Sequence, residues 1–264
     1  MLARHCILTD RGAGMRIVGA GHAVFAVVLI AIGLLGFVHP DYVGVWQPVP
    51  RRWPAHVAIA LVCAVISLGS GLGLLWRRTA TPAAGVLTVW LILWLMTVKV
   101  TVILAARGAV AAWDGAGETA VLIAAAWALF VGEGGVRLPR GLYALTMIVF
   151  GVAHLAYVTF TGSLVPAWLP AHAAWVYLTG FAYIAAGAAM LAGVAARLAA
   201  ALSAVQMGLF TLLVWVPVAA SGRAGAPDWS ETTVSIALTA AGWVIADTYR
   251  GTPWLGVRSR PLAA

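Results

Sequence analysis

Between Ile17 and Val38 the chain carries no Asp, Glu, Lys or Arg. A helix needs roughly 20 apolar residues to cross the hydrocarbon layer of a bilayer, and this run is long enough. It is too long for the core of a secretion signal and no A-x-A cleavage site follows it, so it reads as a retained first transmembrane helix. Seven more apolar runs follow. The eight spans are approximately 17–38, 55–76, 82–105, 117–134, 141–160, 171–192, 196–219 and 231–248, with Pro, Gly, Arg and Asp collected between them. The fourth and eighth are the weakest, because each begins beside a glutamate, Glu118 or Glu231. In lipid a backbone must satisfy its own hydrogen bonds, so runs of this length are helices.

Composition agrees. Charged residues make up 9% of the chain and hydrophobic residues 63%, where a soluble domain carries about 25% charged residues. The net charge of +8 does not point to nucleic acid. The arginines sit in the connectors, where they set topology. Eleven basic residues fall on one side: Arg4, Arg11, Arg16, Arg77, Arg78, Arg137, Arg140, Arg197, Arg250, Arg258 and Arg260. Four fall on the other: Arg51, Arg52, Arg107 and Arg223. That bias predicts both termini in the cytoplasm and an even number of spans. The expected location is the bacterial inner membrane, with the lipid bilayer as the surrounding partner. Cys6 and Cys63 are too isolated for a CxxC motif or an iron–sulfur ligand set. The chain therefore carries no intrinsic redox cofactor of that kind.

The chain repeats itself. "VPRRWPAH" (Val49 to His56) returns as "VPAWLPAH" (Val165 to His172), 116 residues later. The same offset pairs Gly71 with Gly187 and Trp127 with Trp243. One residue less pairs Gly36 with Gly151, His39 with His154 and Tyr42 with Tyr157. "WDGAGET" (Trp113 to Thr119) echoes "DWSET" (Asp228 to Thr232). The expected fold is an all-α polytopic membrane protein of eight transmembrane helices in two four-helix bundles, covering 17–134 and 141–248. Because four is even, the copies share one orientation and form a parallel repeat.

The unusual residues gather near the extracytoplasmic ends. His39 and His154 close the first helix of each copy, and His56 and His172 open the second. The connector between them is rich in Pro and Trp and is expected to fold back over the bundle. Two readings stand side by side. In one, the histidines with Tyr42, Trp46, Tyr157 and Trp168 line a pocket for a ring-shaped amphipathic ligand. In the other they are interfacial residues that tie the loop to helix ends. Two histidines per copy without close carboxylate or thiolate partners make a poor metal set. Lys99 is the sole lysine and lies inside the third span, where Glu118 is at matching depth. An intramembrane charge is a functional hypothesis with a partner to name; snorkelling to the interface is the competing account. Trp215 stands at the lysine position in the second copy, which keeps Glu231. The first copy thus holds the fuller set: His39, Tyr42, His56, Lys99 and Glu118. Gly69, Gly71 and Gly73 read as close-packing positions. His22 and Asp247 read as topological or capping residues.

A helix ending in His, a Pro/Trp loop, and a Gly-rich second helix running into a basic turn ("GLGLLWRRTA", Gly71 to Ala80) together resemble the DoxX family of bacterial inner-membrane proteins. Here two such units stand in tandem. The resemblance implies a four-helix membrane unit and, for some members, a subunit of a quinone-linked redox system. It supplies no catalytic residues to carry over. The leading functional expectation is a quinone-linked subunit whose electrons come from a redox partner protein. A small-solute transporter and a non-catalytic scaffold are the alternatives. Transport is disfavoured because no Gly- or Pro-broken helix pair is expected at the bilayer midplane.

Overall fold

The fold, a computed structural model, is described for residues 17–40 and 47–257. The expectations for Tyr42 and Trp46 lie outside those residues. Among the described residues eight long helices occur: α1 (Ala20–Val38), α2 (His56–Leu75), α3 (80–105), α4 (Val110–Val131), α5 (Arg137–Ala156), α7 (His172–Ala192), α8 (196–220) and α9 (Ala226–Asp247). A short helix, α6 (Val158–Ser163), lies in the connector before α7. An isolated β-bridge joins Val194 and Val257, and no strand occurs among the described residues. Seven helices, α1 to α5, α7 and α8, are long and apolar enough to cross a membrane. The chain is a polytopic helical membrane protein. α9 is as long as α4 but carries Asp228, Glu231 and Asp247, which lowers its apolarity.

Helix starts keep the repeat spacing. His56 and His172, Ala80 and Ala196, and Val110 and Ala226 are each separated by 116 residues. Two backbone irregularities keep it too. Ala55 and Ala171, the residues before α2 and α7, both adopt left-handed φ values of 60° and 57°. That conformation is unfavourable for alanine, so each loop fixes its own exit. α3 and α8 each contain one wide π-turn, Leu95–Lys99 and Thr211–Trp215. Hydroxyls bond to carbonyls within these turns: Thr101 donates to the Thr97 and Val98 carbonyls at 3.0 and 2.7 Å, and Thr232 to the Trp215 carbonyl at 3.4 Å.

Packing follows the same order in both halves. α1 lies against α2, α2 against α3 and α3 against α4; α5 against α7, α7 against α8 and α8 against α9. Across the halves α4 meets α5, α9 meets α1, and α4 meets α9. α4 and α9 form the centre. Their facing residues are small, with Ala124, Ala125, Ala126, Ala237 and Ala241 fully buried. Without a water-driven force in lipid, such close contact is what holds helices together.

Three sequence expectations are corrected. The fourth and eighth helices begin at Val110 and Ala226, seven and five residues before the apolar runs drawn from sequence, because their polar first turns are helical as well. The first-helix register differs. Gly71 packs on Ala26 and Ile30 of α1, and Gly187 on Ala144 and Ile148 of α5. Those contacts set an offset of 118, so His39 matches Tyr157, and His154 lies a turn earlier. Finally, the 116-residue offset of α4 and α9 places Glu231 at Gly115 and Glu118 at Val234, so "GET" and "SET" are not equivalent positions.

The glycine contacts give the first prediction. A Cβ at Gly71 would come within 2.7 Å of the Ala26 carbonyl oxygen, whereas one at Gly69 would meet nothing within 4 Å. Gly71→Val is expected to destabilise the fold by about 1–3 kcal/mol through overpacking. Gly187→Val should behave alike, and Gly69→Val should leave the thermal midpoint in detergent unchanged. A midpoint for Gly71→Val equal to that of Gly69→Val would show that this contact does not hold α1 to α2.

Candidate functional site

The site is built where the two halves meet. Lys99 closes the π-turn of α3, six residues before the helix end and so about 9 Å inside it. It is 7% exposed. A wide turn rotates the residues after it relative to a regular helix, and here it turns Lys99 inward. Its Nζ would sit 3.6 Å from a Cβ placed on Gly115 of α4. The absent side chain at Gly115 leaves room for the ammonium group. Glu118, Glu231 and Asp114 are the charges it feels. Two come from α4 and one from α9, so acidic side chains of two helices act on one lysine. A charge in this setting is stable only with such partners.

Beside this cluster lies a cavity of about 470 Å³. Asp114, Glu118 and Glu231 supply its acidic wall, and Phe150, Tyr183, Phe210 and Trp215 supply rings. His154 and Tyr157 lie at its edge on α5 and just beyond it. The His154 Nδ1 donates to the Phe150 carbonyl at 2.8 Å, which leaves Nε2 as the acceptor. Its ring stands edge-on to Tyr183, with centroids 5.4 Å apart. A second chamber of about 340 Å³ adjoins the first and shares His154, Thr161, Leu164, Tyr183 and Phe210 with it. Its walls are apolar: Val165, Trp168, Leu169, Trp175, Leu209 and Leu213. The connector from α6 to α7 roofs it, and Trp175 Nε1 latches that connector by donating to the Pro170 carbonyl at 3.1 Å. One chamber is charged and aromatic; the other is greasy and opens under a loop.

The structure brings together Lys99, Glu118, Glu231, His154 and Tyr157 from the sequence expectation. Tyr157 also holds two helices in place, because its hydroxyl accepts the Ala111 amide at 3.2 Å, in the first turn of α4. Trp168 lines the apolar chamber and is 71% exposed. His39 is exposed at the end of α1, and His56 and His172 are half-buried at the starts of α2 and α7. None of these three lines either chamber. Sequence reasoning missed Asp114, Tyr183 and Trp215 as site residues. Asp114 had a signal, being an acid inside the "WDGAGET" stretch; Tyr183 sits on a helix with no charged residue. His22 caps α2, its ring Nε2 lying 3.0 Å from the Leu74 carbonyl at the helix end. Among the described residues no group of three His, Cys, Asp or Glu is arranged to hold a metal ion. No protein-family model, curated protein or solved structure matches the chain.

The charge balance is testable. Lys99→Met removes the buried lysine from beside its acidic neighbours and is expected to lower stability by about 3–5 kcal/mol, the cost of a buried charge without its partner. Adding Glu118→Gln should restore part of the loss, giving a coupling between the two sites in a double-mutant cycle. Additive losses in the cycle would show that Lys99 and Glu118 do not interact.

Proposed function

We propose that this protein is a DoxX-like inner-membrane subunit of a quinone-linked redox system, with eight transmembrane helices, two parallel four-helix units and both termini in the cytoplasm. The observation that carries the ligand class is the two-part cavity. A quinone has a ring with two polar oxygens and an apolar tail. The charged, aromatic chamber suits the ring and the chamber under the connector suits the tail. His154 Nε2 and the carboxyls of Glu118 and Glu231 are the groups in place to bind a ring oxygen or move its proton. Conversion of quinone to quinol takes two electrons and two protons. The chain supplies proton carriers, and a redox partner protein supplies the electrons. The repeat spacing of helix starts, of the left-handed alanines and of the π-turns supports the two-unit architecture. The arginine bias supports the orientation.

The test is mass spectrometry of an organic extract of the protein purified in mild detergent, beside a His154→Ala/Glu118→Gln variant. Quinone enriched with the wild type and lost from the variant is the expected result. Equal quinone in both, with unchanged elution and melting, would remove the site assignment.

One observation favours transport as a second reading. The buried charges lie between the two halves, and irregular turns in α3 and α8 flank them, a combination found where helices must move around a bound solute. Solute-dependent proton flux in proteoliposomes that carry no quinone would favour it.

A further inference from the structure

The second half carries a row of buried hydroxyls that starts at the charged chamber. Ser235 lines that chamber together with Glu231, which lies one helical turn before it on the same face of α9. The Ser235 hydroxyl is 2.7 Å from that of Thr211 on α8, and Thr211 Oγ1 is 3.0 Å from the Thr239 hydroxyl, one turn further along α9. Next comes Gly242, which has no side chain. The Tyr143 hydroxyl of α5 takes the space, 2.9 Å from where a Cβ would stand. Tyr143 in turn lies 3.1 Å from the Ser203 hydroxyl of α8. Both are buried, Tyr143 completely. The row therefore runs from the acids of the cavity toward the end of the bundle where Arg140 meets Thr248 and Arg197 meets Thr252. Glu231 to Ser235 and Thr239 to Tyr143 are the steps without direct contact. Each spans about 4.5–6 Å of helix rise, a distance that one bridging water covers.

Helix packing does not require these groups, because the first half packs without them. Thr211 and Leu95 each open the π-turn of their helix. The 116-residue offset matches Thr239 with Ile123 and Ser203 with Leu87, and the 118-residue offset of the first helices matches Tyr143 with Phe25. Ile123, Leu87 and Phe25 are at most 1% exposed. Only Ser235 meets another hydroxyl at its match, Thr119. A hydroxyl in an apolar interior is unfavourable unless it is bonded, so positions that one copy fills with hydrocarbon hold hydroxyls in the other for a reason beyond packing.

The row also offers each proton a choice. Thr211 Oγ1 has four oxygens within 3.2 Å: the Met207 and Ser235 carbonyls and the Ser235 and Thr239 hydroxyls. It has one proton to give. The Thr239 and Ser203 hydroxyls each face a carbonyl of their own helix at 2.9 Å as well as a neighbouring hydroxyl. Rotation about one C–O bond moves such a proton from carbonyl to neighbour.

We propose that this row is a proton path between the acids of the cavity and the arginine-bearing end of the bundle, with Glu231 as its terminal carrier. Each hydroxyl accepts a proton from one side and releases its own to the other. One O–H bond forms as one breaks, and the row is unchanged once its hydroxyls rotate back. With the cavity opening under the connector from α6 to α7, the second half then gives protons a route across the membrane. The inference rests on the functional reading above only for Glu231 as a proton carrier, and it holds for a quinone site and a solute site alike.

Proton influx into proteoliposomes tests it. The full chain is reconstituted without quinone or solute, with a pH-sensitive dye inside and a potassium diffusion potential set by valinomycin. The wild type is expected to acidify the lumen faster than protein-free vesicles do. Thr211→Val and, separately, Thr239→Val should bring the rate to the protein-free level. Thr211→Ser should keep it, as should Thr88→Val, which removes a buried first-half hydroxyl that donates to the Ala84 carbonyl. A wild-type rate equal to that of protein-free vesicles would overturn the proposal. So would an undiminished rate in either valine variant that elutes and melts like wild type. Flux present in a wild type that retains no quinone would remove the quinone reading and leave the path standing.

Discussion

A peptide group in lipid has no water to bond, and everything else in this fold follows from that. Each long segment closes its own hydrogen-bond ladder as a helix. Departures from the ladder are confined to places where another group takes over the freed atoms. The left-handed alanines before α2 and α7 lie outside the ladder, at helix entry. The wide turns of α3 and α8 lie inside it, and the hydroxyls of Thr101 and Thr232 bond to carbonyls within them. A turn of this kind is a device by which a helix that must stay closed can still re-aim a side chain. Lys99 ends one such turn and Trp215 ends the other. The backbone constraint therefore decides which residues face the centre of the molecule.

Much of this was legible in the sequence. Long apolar runs specify helices directly, and the recurrence of Val-Pro, Trp and Pro-Ala-His gave an offset that holds for three of the four helix pairs. The first-helix register was not legible. Its only guides were a Gly, a His and a Tyr, and a helix can present any of these one turn earlier or later without cost to its apolar character. The packing of Gly71 on Ala26 and of Gly187 on Ala144 depends on facing surfaces, which a linear comparison does not contain. The two glutamates were misaligned for a related reason. Short echoes such as "GET" and "SET" carry little information beside a helix whose start is hidden by polar first-turn residues.

The candidate site was half legible. Lys99 and Glu118 stood out because charge is rare here, and rare charge in a membrane demands partners. The partner set could not be completed from one copy, since Glu231 arrives from α9 and Asp114 from the first turns of α4. The histidines misled in part. Four of them sit near helix ends, yet of these only His154 lines the chambers, because α5 runs on past it to Ala156 and so sets the ring against Tyr183. A cavity between halves is made by surfaces that are distant in sequence, and its shape has no signature in any single segment.

The pairing of Lys99 with Trp215 has a consequence for how such a molecule can be assembled. On the two-unit reading, the halves could in principle be replaced by two identical chains. Two first halves would bring two lysines to the shared centre, and two second halves would bring none. Neither homodimer would reproduce one lysine beside acids of both halves. On that reading, joining the halves in one chain lets them differ, so that a lysine supplied by the first half alone meets acids from both.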